Sequence, residues 1–198
     1  MKIGIYCSID AGNVRNKDID YVGVDHGVTH LLHQGIKPII AIGDMDSIED
    51  KTLLDDLKLL TFSSVKDDTD TALAISYVLE QGYDEIDLYG VTQKRVDHFL
   101  AVLCLLEKYQ DINIIIYDQY NKMRVLKSGT HRIKKDGYYY FSLFAFDKSV
   151  VTLKECHYPL DKYELKRNDP LCVSNQMNQD FVIIENTQPI LFIQSLEK

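Results

Sequence analysis

The amino-acid sequence predicts an α/β fold followed by a segment rich in β-strands. Its first 120 residues alternate short apolar runs with amphipathic runs that end at glycine, which is typical of βαβ units and a mostly parallel sheet. From residue 121 the runs become short and β-rich, with Gly, Pro, Asn and Asp between them, as in antiparallel sandwiches or barrel-like domains. The 198 residues suffice for one sizeable domain or two small ones. We therefore predict an α/β domain at residues 1–120 and a β-rich domain at residues 121–198.

The elements of the first domain follow from the spacing of its apolar residues. For example, Ala72, Ile75, Val78 and Leu79 lie on one face of a helix that Gly82 ends. The predicted strands cover residues 3–8, 21–24, 37–44, 61–65, 85–90 and 112–118. The predicted helices cover residues 26–35, 49–60, 69–82 and 96–109.

The second domain is predicted to consist of strands alone, because turn residues interrupt every apolar run. The predicted strand segments are 122–129, 130–137, 138–146, 149–155, 171–176, 180–186 and 189–195. Each core is small, so we expect the two domains to pack together or the chain to dimerise.

Charge and composition exclude several classes of protein. The net charge of −8 disfavours a general nucleic-acid binder, which needs a basic surface. A polyphosphate ligand would therefore reach the carboxylates only through bound cations. No apolar run has the length of a membrane span, and the first residues lack the pattern of a secretory signal. Four scattered cysteines without a C-x-x-C motif indicate reduced thiols and a cytoplasmic protein.

Acidic residues follow four of the predicted strands, at the edge where parallel sheets bind ligands. Because that edge is shared, residues distant in sequence are expected to converge there. This candidate site comprises Asp25, then Asp44 and Asp46, then Asp67, Asp68 and Asp70, and finally Arg95 and Asp97. Carboxylate pairs are suitable ligands for a hard cation, and the planar guanidinium of arginine suits phosphate oxygens.

Each of these segments also has an ordinary structural interpretation. Asp46 or Ser47 could cap the helix predicted from residue 49, and Thr69 or Asp68 could cap the helix that follows. Lys66 could contact a phosphate or be solvated. Arg95 and Asp97 could form a surface ion pair, with His98 as the helix cap.

Other motifs point to weaker alternatives or are absent. The Gly-Asp-Met-Asp-Ser and Asp-Thr-Asp-Thr segments invite comparison with the nucleophile loop of haloacid-dehalogenase-type phosphatases, which we rank second. Neither G-x-x-x-x-G-K-[ST] nor G-x-G-x-x-G is present. His26, His30 and His33 have helical spacing, but no carboxylate or cysteine at matched spacing completes a zinc site.

Taken in order, these segments resemble the thiamin pyrophosphokinase family over almost the whole chain. The segments that carry the resemblance are VDHGVTHLLHQGIKPIIAIGDMDSI, KDDTDTALAI and GVTQKRVDHFLAVLCLL in the first domain, and YYYFSLFAF, HYPLD and SNQM in the second. The resemblance implies a Rossmann-like domain followed by a β-sandwich, working as a homodimer. It also implies transfer of diphosphate from ATP to thiamine, giving thiamine diphosphate and AMP.

The resemblance implies roles for individual residues. Mg²⁺ would be held by Asp46 and Asp70 with help from Asp44. The residues expected at the reacting groups are Asp46, Asp70, Arg95 and Asp97, with Asp97 either at the metal-nucleotide or accepting the hydroxyl proton. Those expected to bind ATP are Asp25, Gly27, Asp44, Ser47, Lys66, Thr92 and Arg95. Those expected to bind thiamine, across the dimer interface, are Ser174 and Asn175.

The chain departs from the family pattern at three places. Asp25-His26-Gly27 replaces Asp-Gly-Gly, Gln93-Lys94 replaces Gly-Gly, and Glu155-Cys156 replaces Lys-Gly. We expect these changes to alter loop shape near the nucleotide. We nevertheless expect an active enzyme, because the other residues of the pattern are in place: Asp44, Asp46, Asp70, Arg95, Asp97, Ser174 and Asn175. Two alternatives stay open: a Mg²⁺-dependent phosphatase or other phosphotransferase that uses the same carboxylates, and a non-catalytic protein that binds thiamine or a nucleotide, which only the altered Gly-Gly pair supports.

Overall fold

Among the residues that the structure describes, six parallel strands form the sheet of the first structural unit. A computed structural model of the chain describes residues 1–46, 48, 50–55, 57–61 and 68–197. It divides into one unit of residues 1–105 and 112–119 and a second unit of residues 106–111 and 120–198. The six strands are β1 (Lys2–Tyr6), β2 (Asp20–Val24), β3 (Ile40–Ile42), β4 (Leu59–Leu60), β5 (Glu85–Tyr89) and β6 (Asn113–Tyr117). The helices are α1 (Gly27–His33), α2 (Asp70–Glu80) and α3 (Val96–Lys108).

The strand order of this sheet reverses between β1 and β5. Spatially the order is β4-β3-β2-β1-β5-β6, and every pair is parallel. The chain moves outward from β1 to β4 and then returns to place β5 on the other side of β1. At such a switch point the connections leave in opposite directions, which opens a crevice beyond the carboxyl ends of the two central strands. The α/β prediction with a mostly parallel sheet is confirmed.

Helix α2 begins where a threonine caps it. The Thr69 hydroxyl accepts a hydrogen bond from the backbone N–H of Ala72 at 3.2 Å, and Thr69 itself has extended backbone. Ala72, Ile75 and Val78 are buried, as their helical spacing predicts. The cap therefore fixes the position of Asp70, the first residue of the helix.

A row of tyrosines covers one face of the sheet beside β1. Tyr6, Tyr89 and Tyr117 are register partners on three neighbouring strands, and their rings stack at centroid distances of 5.5 and 5.4 Å. Tyr21 on β2 packs over Gly4 of β1, where an added Cβ would lie 2.1 Å from the Tyr21 ring. The row thus depends on a glycine that leaves room for an aromatic ring.

The tyrosine hydroxyls hold the connection between β1 and β2, whose residues 7–19 are all described and contain no helix. The Tyr6 hydroxyl accepts from the N–H of Ala11 and donates to the carbonyl of Gly12, both at 2.9 Å. The Tyr89 hydroxyl accepts from the N–H of Arg15 at 3.1 Å. These bonds satisfy backbone groups that a helix would otherwise pair internally.

The second unit consists of two antiparallel sheets that share one apolar core. Its strands are β7 (Asn121–Leu126), β8 (Gly129–Lys134), β9 (Tyr140–Ala145), β10 (Lys148–Lys154), β11 (Leu160–Lys166), β12 (Asn175–Gln176), β13 (Phe181–Asn186) and β14 (Ile190–Ser195). One sheet has the order β12-β9-β14-β7 and the other β11-β10-β13-β8. Alternate residues point inward, as with Phe141 and Leu143 on β9 and Val182 and Ile184 on β13.

Three sequence predictions about elements are wrong. The helix predicted at 49–60 is a one-turn 3-10 helix at Lys51–Leu54 followed by strand β4, because Leu59 and Leu60 pair with the edge of β3. Strand β11 was not predicted; its lysines and exposed faces leave little apolar alternation. The strand predicted at 171–176 shortens to β12. Most of the strand predicted at 61–65 lies outside the described residues.

Two further predictions concern membranes and cysteines. No helix in the described part of the chain is long and apolar enough to cross a membrane. All four cysteines are free thiols; Cys7, Cys156 and Cys172 are buried and Cys104 is exposed.

We expect Tyr6→Phe to destabilise the protein, because the buried N–H of Ala11 loses its partner and the carbonyl of Gly12 keeps only the side-chain amide of Gln34. The expected cost is about 2 kcal/mol, which lowers the midpoint of thermal unfolding by about 4–8 °C. Tyr77→Phe is the control, since the Tyr77 hydroxyl bonds to no described residue. Equal midpoints for the two variants, measured by circular dichroism, would show that the tyrosine hydroxyls do not hold the connection.

Candidate active site

A cavity of about 320 Å³ lies at the switch point of the first unit. It opens beyond the carboxyl ends of β1, β2 and β5, beside the first turn of α2 and along α3. Its lining residues are Cys7, Ser8, Ile9, Val24, Asp25, Thr69, Asp70, Thr71, Gly90, Val91, Lys94, Arg95, His98 and Val102. Three of the predicted site residues, Asp25, Asp70 and Arg95, therefore line one cavity.

Close contact between the extensions of β1 and β5 forms the floor of this cavity. The N–H of Cys7 donates to the carbonyl of Tyr89 at 2.9 Å, and the N–H of Ile9 donates to the carbonyl of Gly90 at 3.2 Å. Gly90 has φ +72°, and an added Cβ would lie 2.5 Å from the Ile9 carbonyl oxygen and 2.6 Å from that of Cys7. Both the backbone conformation and the space thus require glycine.

Asp25 is held against the backbone that follows β3. Its N–H donates to the carbonyl of Ile42 at 3.0 Å, and its own φ is +50°. Gly43 has φ +126°, and an added Cβ there would lie 1.9 Å from Asp25 Oδ1. Only a glycine therefore permits the Asp25 carboxylate to occupy this position at the cavity wall.

The charges of Asp25 and Asp70 both act on a buried thiol. Cys7 Sγ lies 3.6 Å from Thr71 Oγ1, which joins the end of β1 to the start of α2. Burial raises the pKa of Cys7 to about 12; the Thr71 hydroxyl opposes the shift, and the negative charges of Asp25 and Asp70 add to it. The thiol is therefore neutral at physiological pH and is a poor nucleophile.

The two carboxylates of the Gly-Asp-Met-Asp segment flank a buried methionine. Met45 belongs to the core cluster with Val28 and Ala41, and its φ is +56°. Asp44 and Asp46 are exposed on either side of it, and Asp44 Oδ1 accepts a hydrogen bond from the Asp46 N–H at 3.1 Å. Neither is among the residues that line the cavity.

Arg95 and Asp97 form the ion pair that was one of two interpretations of their spacing. Arg95 Nε lies 3.2 Å from Asp97 Oδ1, and a guanidinium NH₂ lies 2.5 Å from Oδ2. Arg95 lowers the pKa of Asp97 to about 2, with burial opposing the shift and the His98 N–H assisting it. Both side chains are exposed, with fractional accessibilities of 66% and 64%. A carboxylate with so low a pKa is a weak proton acceptor.

Two residues predicted to bind ATP are engaged in the fold itself. Thr92 is buried and donates its hydroxyl to Asp118 Oδ2 at 2.9 Å, which ties the segment after β5 to the end of β6. Gly27 is buried where α1 meets β1, and an added Cβ would lie 1.9 Å from the Tyr6 carbonyl oxygen. Both residues position the elements around the cavity.

Several sequence predictions fall on residues about which the structure says nothing. Ser47 and Lys66, both predicted to bind ATP, and Asp67 lie outside the described residues. Their roles stay predictions.

The predicted metal ligands do not form an assembled cluster in the described part of the chain, where no group of three or more His, Cys, Asp or Glu side chains has metal-binding geometry. The chemistry of the donors nevertheless fits a hard cation. Asp25 and Asp70 line the cavity, and Asp44 and Asp46 follow the strand that neighbours β2. Carboxylate oxygens are the ligands that Mg²⁺ takes together with substrate phosphates.

The two residues predicted to bind thiamine lie in the second unit. Ser174 is exposed with φ +57°, and its N–H donates to Ser142 Oγ at 3.0 Å. Asn175 is buried; its side-chain oxygen accepts from the N–H of Tyr158 at 3.0 Å, and its amide nitrogen donates to the Tyr158 carbonyl at 2.8 Å. Asn175 therefore fixes the backbone of the exposed Tyr158 segment.

The departures from the family pattern differ in their backbone cost. His26 has φ −61° and ψ −14°, an ordinary right-handed conformation. Gln93 and Lys94 have φ +75° and +56°, so two consecutive residues with side chains occupy the left-handed region. Such a conformation costs about 1–2 kcal/mol per residue. The loop after β5 thus retains a backbone that glycine would adopt more easily.

Sequence reasoning missed the contribution of β1 to the site. Cys7, Ser8 and Ile9 line the cavity, although this strand end carries no acidic cluster. Lys94 was noted only as a departure, and His98 only as a possible cap, yet both line the cavity. The signal that could have found them is the strand order, because a switch point beside β1 makes its carboxyl end part of the crevice.

Comparison with protein families identifies both halves of the chain. Residues 13–117 match the family model described as "Thiamin pyrophosphokinase, catalytic domain". Residues 130–191 match the model described as "Thiamin pyrophosphokinase, vitamin B1 binding domain". A thiamine pyrophosphokinase from Bacillus subtilis (strain 168) is 35% identical over 166 residues, which cover 79% of this chain and 78% of the relative.

Solved structures show the same fold. The crystal structure of thiamine pyrophosphokinase from Bacillus subtilis superposes with a TM-score of 0.90 at 27% identity and covers 100% of both chains. That of thiamin pyrophosphokinase from Geobacillus thermodenitrificans gives 0.89 at 30% identity, covering 100% of this chain and 99% of the other. Thiamin pyrophosphokinase from Candida albicans, at 15% identity, gives 0.84 over 99% of this chain and 89% of its own, a likeness of fold alone.

Gln93→Gly is expected to stabilise the protein by about 1 kcal/mol, because glycine adopts the left-handed conformation without a steric penalty. His26→Gly is the matched comparison. His26 already has right-handed backbone, so glycine there adds entropy to the unfolded chain, and it also removes the ring contact with His30. Both effects lower stability, by about 0.5 kcal/mol or more. Urea unfolding of both variants measures the change in the free energy of unfolding. A Gln93→Gly variant that is less stable than the wild type would contradict backbone strain at Gln93.

His30 is expected to make stability depend on pH. Its Nε2 lies 3.3 Å from the Ser8 carbonyl oxygen and its ring packs against Tyr6. Burial lowers its pKa from the ordinary value of 6.5, although the Ser8 carbonyl opposes the shift. The unfolded state then binds the proton more readily, so this contribution to stability is complete above about pH 6.5 and is lost as the pH falls through the folded-state pKa.

The measurement is thermal unfolding of the wild type, His30→Gln and His33→Gln between pH 8 and pH 5. We expect His30→Gln to flatten the loss of stability on acidification. The exposed His33 on the same helix serves as the control. Parallel curves for all three proteins would rule out His30 as the source.

Proposed function

The chain belongs to the thiamin pyrophosphokinase family, and we propose that its switch-point cavity binds the polyphosphate of ATP for transfer to thiamine. The chain is accordingly a thiamine diphosphokinase. In that reaction the thiamine hydroxyl oxygen attacks the β-phosphorus of ATP. The bond between this phosphorus and the α,β-bridging oxygen breaks, and that oxygen leaves with AMP. The products are thiamine diphosphate, AMP and one proton.

The observation that carries the proposal is the pairing of charges in one cavity. Asp25 and Asp70 face the same space as Lys94 and Arg95. The cationic side chains suit phosphate oxygens directly, whereas the carboxylates suit a hard cation that accompanies the phosphates. Apolar walls from Ile9 and other lining residues lower the local dielectric and strengthen both interactions.

We assign metal binding to Asp70 and Asp46, with help from Asp44. Bound there, Mg²⁺ would offset the negative charge of the phosphates as transfer proceeds. The Thr69 cap holds Asp70 at the first turn of α2, and the buried Met45 turns its two acidic neighbours toward solvent. The family supports a divalent metal, and the oxygen donors favour Mg²⁺ among such metals.

Arg95 and Asp97 are proposed to act as a pair. The low pKa of Asp97 disfavours its use as the general base that accepts the hydroxyl proton. Its contact with Arg95 instead orients the guanidinium at the mouth of the cavity, where it can meet charge that develops on the phosphates. Asp25 supports the nucleotide from the wall beside Gly43. We retain Ser47 and Lys66 as proposed ATP contacts, and we assign Thr92 and Gly27 to shaping the same site.

The second half of the chain is proposed to supply the acceptor. We assign nucleotide binding to residues 1–120, with a Rossmann-like arrangement, and thiamine binding and dimerisation to the β-sandwich of residues 121–198. Ser174 and Asn175 are the proposed thiamine contacts, Ser174 through its side chain and Asn175 through the segment that it holds. We further propose a cytoplasmic homodimer, with neither nucleic acid nor a membrane as partner.

The family match does not favour the alternative functions. A phosphatase would release inorganic phosphate whether or not thiamine is present, and a non-catalytic binding protein would form no product. Incubation with ATP, Mg²⁺ and thiamine, followed by chromatography, separates the three. One AMP per thiamine diphosphate supports the proposal, whereas phosphate release that is independent of thiamine contradicts it.

We expect Asp70→Asn to reduce kcat/KM by about a hundredfold or more, the scale on which one preorganised electrostatic contact acts. Asp68→Asn is the matched control, because Asp68 is exposed, precedes the cap and does not line the cavity. Both variants should unfold at wild-type temperature within about 2 °C, since neither side chain is fully buried. Wild-type turnover in Asp70→Asn would remove Asp70 from the metal site.

A further inference from the structure

We propose that Lys94 positions the polyphosphate of ATP in the switch-point cavity. The inference rests on the function proposed above and adds to it a residue that the family pattern does not supply. Lys94 lines the cavity together with Arg95, Asp25 and Asp70. Its position corresponds to a glycine in the family pattern, so the contact would be a property of this chain.

The charges already engaged at the cavity point to Lys94 as the available cation. Arg95 contributes two hydrogen bonds to Asp97, so much of its charge is compensated. Within the described part of the chain, the Lys94 ammonium takes part in no hydrogen bond or ion pair, and the residue is exposed. A polyphosphate that enters this cavity therefore meets one lysine whose donors are not yet used.

The negative charge of the site favours such a cation in addition to Arg95 and a bound metal ion. The chain carries a net charge of −8, and Asp25 and Asp70 add negative charge to the cavity itself. A triphosphate carries about four negative charges, so carboxylates repel it unless cations intervene. A lysine offers a compact charge on a flexible stem, which can follow phosphate oxygens without a fixed planar geometry.

Backbone conformation gives a second, independent reason to assign Lys94 a role. Gln93 and Lys94 both occupy the left-handed region, where a side chain is disfavoured and glycine is not. Strained conformations of this kind cluster at ligand sites, where the strain is compensated by function. Gln93 bears the same strain but does not line the cavity, which separates the effect of the loop conformation from that of the lysine charge.

The test compares Lys94→Gln, which removes the charge and keeps a polar, unbranched side chain and the backbone strain, with Lys94→Arg, which keeps the charge. Lys37→Gln is the control for net charge, because the exposed Lys37 precedes β3 and so lies at the opposite, amino-terminal edge of the sheet. Steady-state kinetics give KM for ATP, KM for thiamine and kcat. Calorimetry with α,β-methylene-ATP and Mg²⁺ gives nucleotide affinity without turnover, at several salt concentrations.

We expect Lys94→Gln to raise KM for ATP and the dissociation constant of α,β-methylene-ATP by about tenfold, the scale of one charge-assisted contact. The change in kcat and in KM for thiamine should stay within about threefold, Lys94→Arg should recover most of the affinity, and Lys37→Gln should match the wild type. Nucleotide binding should depend less on salt in Lys94→Gln than in the wild type.

Two results would overturn the proposal. One is wild-type nucleotide affinity in Lys94→Gln. The other is a loss of affinity for both substrates that Lys94→Arg does not restore, which would indicate a disturbed loop. Failure of the proposed function gives a different result. If the wild-type protein forms no AMP with thiamine, the effect of Lys94→Gln on the affinity for α,β-methylene-ATP still tests the role of Lys94.

Discussion

The contact between the extensions of β1 and β5 is the constraint on which the candidate site depends. Gly90 allows the two backbones to approach closely. The N–H groups of Cys7 and Ile9 then donate hydrogen bonds to the carbonyls of Tyr89 and Gly90. This contact closes the floor of the crevice that the strand order opens. As a result, the carboxylates of Asp25 and Asp70 line the same cavity as the cationic residues Lys94 and Arg95. A side chain at Gly90 would separate the strands and remove the cavity floor.

Local sequence patterns were sufficient to predict the elements that carry the candidate site. The first turn of α2 follows from a threonine followed by helical spacing, and the structure shows Thr69 as the cap. The apolar run before Asp25 predicts that this residue ends a strand. The helix start predicts that Asp70 lies in the first turn of α2. These predictions succeed because caps and strand ends are decided by neighbouring residues. In the structure Asp25, Asp70 and Arg95 line one cavity.

Features that depend on distant residues were not accessible in the same way. Leu59 and Leu60 have helical spacing with the leucines before them, yet pairing with β3 makes them a strand. The left-handed backbone at Lys94 contradicts the local preference of its side chain. Likewise, nothing near Tyr6 in sequence indicates that its hydroxyl holds the connection at Ala11 and Gly12. In each case tertiary contacts override the local tendency.

The most direct test of this account is a crystal structure of the protein with Mg²⁺ and α,β-methylene-ATP, whose methylene bridge replaces the bond that the reaction breaks. The account predicts that the phosphates lie in the switch-point cavity, with the metal ion on Asp70 and a phosphate oxygen within contact distance of Arg95. Phosphates bound elsewhere in the protein, with the cavity between β1 and β5 unchanged, would contradict it.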